Sequence, residues 1–142
     1  MKLYLVIPCY NEEEVLHETA KRTREKLLGL MAEGKISDES RICFVDDGSK
    51  DKTWEIIDSL CTEDNIYCGL RLSRNKGHQN ALLAGLMSVK EHCDAAISLD
   101  ADLQDDINAI DAMVDKYADG CDVVYGVRSS RKTDKLFKRA TA

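Results

Sequence analysis

The sequence predicts an α/β fold: a three-layer, mostly parallel sheet flanked by helices. Three observations carry this. Apolar runs of strand length alternate with stretches of helical period along the 142 residues. The first run, LYLVIP, is continuously apolar, as strands buried on both faces are. Polar clusters follow the runs at their C-terminal ends, where open α/β sheets bind ligands.

LYLVIP (3–8) is strand one, ended by Pro8, the chain's single proline. Asn11 is expected to cap the first helix, with Glu14 three residues on as its capping-box partner. Val15, Leu16, Thr19, Leu27, Leu30 and Met31 form that helix's apolar stripe. GKISDES is a loop, RICFVDD (41–47) strand two and GSKD its turn. Trp54, Ile57, Leu60 and Cys61 mark helix two; IYCGLRL (66–72) is strand three; SRNKG is a loop. Leu82, Leu83, Leu86, Met87 and Val89 belong to helix three, and AAISLD (95–100) is strand four. Ile107, Ile110, Met113, Val114 and Tyr117 face inward from helix four, and DVVYGVR (122–128) is strand five. The chain closes in a basic tail, residues 132–142.

Composition narrows the function classes. The length suits one domain with a real core. A net charge of -6 argues against a nucleic-acid partner, which selects a basic footprint. The six cysteines show neither CxxC nor Cys/His metal spacing, and Cys9 and Cys43 sit in apolar runs, so a reducing cytoplasm is expected. The apolar run of MKLYLVIP is shorter than a signal peptide's and NEEE follows at once. No window approaches the ~20 apolar residues that span a bilayer.

Chemistry gathers after strands one, two, four and five: PCYNEE, DDGS, DADLQDD and VRSSR. Asp100 and Asp102, two residues apart on an extended segment, project to one side. Alone they repel and raise each other's pKa; a hard divalent cation, Mg²⁺ or Mn²⁺, removes that penalty. Gln104 can add a neutral oxygen. Asp105 and Asp106 read better as helix caps.

Asp46 and Asp47 read first as turn residues; the functional alternative is a carboxylate accepting hydrogen bonds from a base or ribose. Glu12 can serve likewise, and Tyr10 can stack on a base; a solvated first turn and a core-edge aromatic are the alternatives. Arg128 and Arg131 can hold a phosphate or belong to a solvated tail. The loop Arg74–His78 is a basic spot at a helix start, where anions bind. His17, His78 and His92 are read as structural or surface histidines.

Taken together, VIPCYNEEE, FVDDGSKDKT, LSRNKGHQNALLAG and LDADLQDD resemble, in order and spacing, the inverting family-2 glycosyltransferases of GT-A fold. The likeness is greatest to polyprenyl-phosphate glycosyltransferases and dolichol-phosphate mannose synthases; it covers residues 5–106, and YGVRSSR extends it to about residue 131. The resemblance implies a truncated, Rossmann-like nucleotide-sugar-binding domain over residues 1–131, with 132–142 leading toward a missing acceptor or membrane portion. It implies a UDP- or GDP-sugar donor, a divalent cation, a polyprenyl-phosphate acceptor, and action at the cytoplasmic face of a membrane. Pro8, Tyr10 and Glu12 match the segment cradling base and ribose; Asp46 or Asp47 matches the acid that reads the base. Asp100, Ala101 and Asp102 match the DxD that reaches ribose and metal, with Gln104 as a further metal contact; Arg128 and Arg131 match basic residues near the acceptor phosphate. The general base of such enzymes commonly lies in the missing part, so none is expected here.

Other readings fit less well. A nucleotidyltransferase needs a glycine-rich loop after strand one, which PCYNEEE lacks, and a dinucleotide enzyme needs GxGxxG. A signalling receiver places its acid pair after strand one, not strand two. The rival from another class is a non-catalytic nucleotide-sugar-binding or partner-docking domain.

Overall fold

The computed structural model describes residues 1–104, 106–130 and 135–141. The elements run β1 (Leu3–Cys9), α1 (Leu16–Ala32), β2 (Arg41–Asp46), α2 (Thr53–Glu63), β3 (Tyr67–Arg71), α3 (His78–Val89), β4 (Ala95–Ser98), α4 (Ala109–Ala118), β5 (Val123–Ser130) and β6 (Lys135–Thr141). They fall into two compact units, Met1–Asp102 and Leu103–Ala142.

The first unit holds a four-stranded sheet in the order β3-β2-β1-β4, every neighbour pair parallel. Side-chain alternation divides its two faces. Val6, Cys43 and Val45 point to one face, where they pack with Ala81 and Val89 of α3. A Cβ at Gly85 would meet the side chains of Val6 and Val45, so the glycine lets α3 lie close on the sheet. Leu3, Leu5, Ile7, Ile42 and Phe44, all fully buried, take the opposite register positions. On that side the Tyr67 hydroxyl donates to the Ala20 carbonyl of α1 at 2.9 Å, and Gly69 abuts Ile57 and Trp54 of α2. Helices thus cover both faces, in three layers.

The ends of the strands are unequal, and that shapes the site. β4 pairs with β1 only from Leu3↔Ala95 to Val6↔Ser98, whereas β1 and β2 stay paired to Cys9↔Asp46. After the Leu99 N–H donates to the Val6 carbonyl at 3.0 Å, β4 and β1 part. Pro8 is tolerated there because no β4 neighbour asks for its missing N–H. It does not end the strand, which continues to Cys9.

Two local expectations are corrected. Asn11 does not cap α1, whose flanking residue is Val15 with no side-chain cap bond, so the box with Glu14 does not form. Asn11 instead sits at φ 52; its N–H donates to Ser49 Oγ and its Oδ1 accepts from the Lys50 N–H, both at 2.9 Å. The bonds to a distant turn win over the local cap. Strand five is not a fifth member of the parallel sheet: β5 pairs antiparallel with β6. Only residues 131–134 separate the two in sequence, too short for the crossover that a parallel neighbour needs.

In the second unit α4 packs on the β5–β6 pair. The Asp106 carboxylate accepts from the Asn108 N–H at 2.9 Å in the turn before α4, but it does not cap the helix, whose flanking residue is Asn108 with no side-chain cap bond. No helix among the described residues is long and apolar enough to cross a membrane.

Candidate functional site

β1, β2 and β3 step one way across the sheet, and β4 returns to the other side of β1. That reversal is the topological switch point, where the chains leaving neighbouring strands diverge and open a crevice. A cavity of about 300 Å³ lies at these strand ends. Pro8, Cys9, Tyr10 and Glu12 line it after β1, Asp47 after β2, Asn75, Gly77 and His78 before α3, and Asp100, Ala101 and Asp102 after β4. All of them belong to the first unit.

Each wall is held by bonds the sequence encodes far apart. The Asp47 N–H donates to the Cys9 carbonyl at 2.8 Å, tying the turn after β2 to the end of β1. The Glu12 N–H donates to Thr53 Oγ1 at 2.8 Å, and Thr53 is fully buried. Ala101 is buried, and its carbonyl accepts a hydrogen bond from the buried Thr19 hydroxyl of α1. Ala101 therefore anchors the DxD while Asp100 and Asp102 line the cavity on either side of it. Gly48, at φ 67, lies so close to the backbone of Arg74 and Asn75 that a Cβ would overlap it. Asp47 Oδ1 accepts from the Lys76 N–H at 2.7 Å. The Arg74–His78 loop is thereby fastened from two adjacent residues.

The electrostatics are one-sided. The lining carries four carboxylates (Glu12, Asp47, Asp100, Asp102) and no lysine or arginine. His78 Nε2 stands 3.8 Å from Asp100 Oδ1. Burial first, then the negative charges of Asp102, Asp51 and Asp100, push the Glu12 carboxyl above its ordinary value. Burial, helped by Glu12 and Asp46, raises the Cys9 thiol, which donates to the Ile7 carbonyl at 3.3 Å and stays protonated. This thiol is no nucleophile.

Such a cavity repels an anion unless a cation accompanies it. Asp100 and Asp102 are hard oxygen donors of the kind Mg²⁺ and Mn²⁺ take, one or two carboxylates with ligand phosphates completing the shell. Among the described residues no group of three His, Cys, Asp or Glu converges as a full protein cage. A two-carboxylate site that depends on its ligand is what these residues fit.

Of the expected site residues, Pro8, Tyr10, Glu12, Asp47, Asp100, Ala101 and Asp102 meet around this cavity. Asp46 is not among the lining residues; it is fully buried, its Oδ1 accepts from the Ser49 N–H at 3.3 Å, and its Oδ2 lies 3.9 Å from Arg71 Nε. Gln104 is exposed and Arg128 lies on β5, both in the second unit. Arg131 and Asp105 lie outside the described residues. Cys9, Asn75, Gly77 and His78 line the cavity without having been singled out for it. Their signal was the Asn-x-Gly between strand three and helix three, read only as part of a basic loop.

The family model for glycosyl transferase family 2 matches residues 4–141. The chain belongs to that family. A relative named an uncharacterized glycosyltransferase, YkoT of Bacillus subtilis, is 52% identical over 99% of this chain and 42% of its own length. A prophage bactoprenol glucosyl transferase homolog of Escherichia coli is 42% identical over 100% of this chain and 44% of its own length. The family-2 chain thus spans less than half the length of these relatives. Among solved structures, the mannosyltransferase PcManGT from Pyrobaculum calidifontis, in complex with GDP-Man and Mn²⁺, superposes with a TM-score of 0.57. It is 18% identical, covering 71% of this chain and 27% of that one. S. aureus TarS 1–349 in complex with UDP gives 0.56 at 19% identity, covering 92% and 40%. These likenesses show the fold, GT-A.

Proposed function

We propose that the chain is the donor-binding part of a glycosyltransferase that moves a sugar from a UDP- or GDP-sugar to a polyprenyl phosphate, with inversion. The observation that carries this is the convergence of residues leaving β1, β2 and β4 on one cavity whose carboxylates demand a cation. Relatives named for bactoprenol glucosyl transfer support the lipid acceptor.

Asp47 accepts from the base, and Tyr10, 40% exposed at the rim, offers a ring for it to stack on. Asp100 and Asp102 would hold Mg²⁺ or Mn²⁺, and such a cation would neutralise charge on the departing diphosphate. α3 begins at the cavity with no side-chain cap on its first N–H groups, so its positive end favours the diphosphate. The acceptor's phosphate oxygen attacks the anomeric carbon from the face opposite the diphosphate. The bond to the diphosphate oxygen breaks, and its electron pair leaves with the nucleoside diphosphate. With a second pKa of about 6, a phosphate monoester brings its own oxyanion at neutral pH. That eases the need for a general base on this chain.

Residues 1–131 serve the donor, and 132–142 lead toward the portion that holds the acceptor, at a cytoplasmic membrane face. The test is transfer of radiolabelled sugar from UDP- or GDP-sugar to polyprenyl phosphate, with Mn²⁺ and with EDTA. Cation-dependent glycolipid formation supports the reading. Failure to bind either nucleotide defeats it. Because the chain spans under half of its relatives, a second reading is a donor-binding module without transfer; it is favoured if the donor binds and no glycolipid forms even in a longer protein.

A further inference from the structure

We infer that Cys68 and Cys43 form a reversible oxidation site, at which a peroxide converts the two thiols into a disulfide joining β3 to β2. Neither cysteine lines the cavity, so the inference stands apart from the donor reading above.

The two are register partners on neighbouring strands, Cys43↔Cys68. Adjacent strands lie about 4.7–4.9 Å apart, inside the roughly 4.4–6.8 Å between Cα atoms that a disulfide spans. Both thiols lie on the sheet face that α3 covers. Cys43 belongs to the core cluster with Val6, Val45, Ala81 and Val89, and Cys68 packs against it. The Cys43 thiol donates to the Cys68 sulfur, so the two sulfurs are already in contact. The Cys68 thiol in turn donates to the Ile42 carbonyl at 3.5 Å.

Their surroundings give the two thiols different roles. Cys43 is 4% exposed, and its bond to Cys68, together with burial, pushes its thiol far above the ordinary value. Cys68 is half-buried on β3, the edge strand, which among the described residues has β2 as its only neighbour. A small oxidant reaches it from that open edge. The bond from Cys43, and after it the Arg41 guanidinium, hold the Cys68 thiol below its ordinary value against the opposing effect of burial. An accessible thiol of lowered pKa beside a second thiol is the arrangement that peroxides oxidise selectively. Burial holds Cys9, Cys61 and Cys93 above their ordinary value, which makes them poorer nucleophiles.

The Cys68 thiolate attacks one oxygen of hydrogen peroxide. An S–O bond forms, the O–O bond breaks, and its electron pair leaves on the other oxygen as hydroxide. That hydroxide takes up the proton Cys68 gave up and becomes water, leaving Cys68 as a sulfenic acid. The Cys43 thiol then loses its proton and its sulfur attacks the Cys68 sulfur. The S–S bond forms, the S–O bond breaks, and hydroxide departs with the Cys43 proton as a second water. Two thiols have given two electrons to one peroxide. A small thiol such as glutathione restores the pair by exchange, so the bond is transient in a reducing compartment.

The test is to treat the reduced 142-residue chain with one equivalent of hydrogen peroxide, alkylate it under denaturing conditions, and map its peptides by mass spectrometry. The expected result is a single linkage, Cys43 to Cys68 within one chain, that dithiothreitol removes. Two of the six thiols then escape alkylation, and Cys9, Cys61, Cys93 and Cys121 are all alkylated. Cys43→Ser is expected to stop at the sulfenic acid and to carry at least about tenfold more dimedone on Cys68 than the parent. Cys68→Ser is expected to leave Cys43 reduced. The parent's peptide map needs no substitution, so it decides the matter even where a variant fails to fold. A linkage between other cysteines, a linkage between two chains, or oxidation of Cys61, Cys93 or Cys121 while Cys68 stays reduced overturns the inference. So does a parent that takes up no oxidant.

Discussion

The backbone N–H of Glu12 donates to the hydroxyl of Thr53 across 2.8 Å, joining the chain leaving β1 to the first residue of α2. The same hydroxyl donates to Asp51 Oδ1 at 2.6 Å, so a fully buried side chain with two bonds fixes where Glu12 enters the cavity. Thr53→Val keeps the shape and strands the Glu12 N–H, while Asp51 Oδ1 retains its bond from the Thr53 N–H at 2.9 Å. It is expected to cost about 1–3 kcal/mol in urea denaturation and to weaken nucleotide binding. Full stability in the valine variant would show that this bond does not hold the wall.

Gly48 is the second fixed point. Its φ of 67 and its contact with the Arg74–Asn75 backbone together exclude a side chain. Gly48→Ala is expected to lose more than about 2 kcal/mol, the strain of a left-handed alanine adding to the displaced loop. Gly29, inside α1 with open space around it, is the control: Gly29→Ala is expected to gain about 0.5–1 kcal/mol. Urea midpoints of the two variants should move in opposite directions.

Acid sensitivity has a local component. Asp64 lies below its ordinary range because its carboxylate accepts from the Ile66 N–H at 3.0 Å and pairs with Arg24 Nε at 2.8 Å. A depressed carboxyl stabilises the fold above its unfolded value, about 3.9, and that contribution is lost as pH falls through the lower folded value. Asp64→Asn should therefore be less stable than the parent at neutral pH, and the gap should close as pH falls through the lowered folded value. A gap that persists in acid would mean that charge is not the cause.

How much of this was legible in the sequence follows from the range of the forces. Continuous apolar runs such as LYLVIP announce strands buried on both faces, and the acids after them announce ligand-facing ends. Both are local patterns, and they led to the parallel α/β sheet and to the DxD. Asn11 misled because its side chain satisfies Lys50 rather than its own helix, a choice made by tertiary structure. The pairing of β5 with β6 was hidden because KLFKRAT reads as a charged tail until a partner strand is beside it. Asp47 could be told from Asp46 only when one lined the cavity and the other was buried outside its lining. Asn75 was hidden for the same reason: its place at the cavity needs the loop that Gly48 and Asp47 hold in place.

The central claim is that a cation-bound nucleotide occupies the cavity between Glu12, Asp47 and Asp102. Calorimetric titration of UDP and GDP with Mn²⁺, repeated in EDTA and with Asp102→Asn, addresses it most directly. The account predicts binding of at least one nucleotide that disappears on chelation and weakens about tenfold or more in the variant. Affinity untouched by both EDTA and the substitution would contradict it.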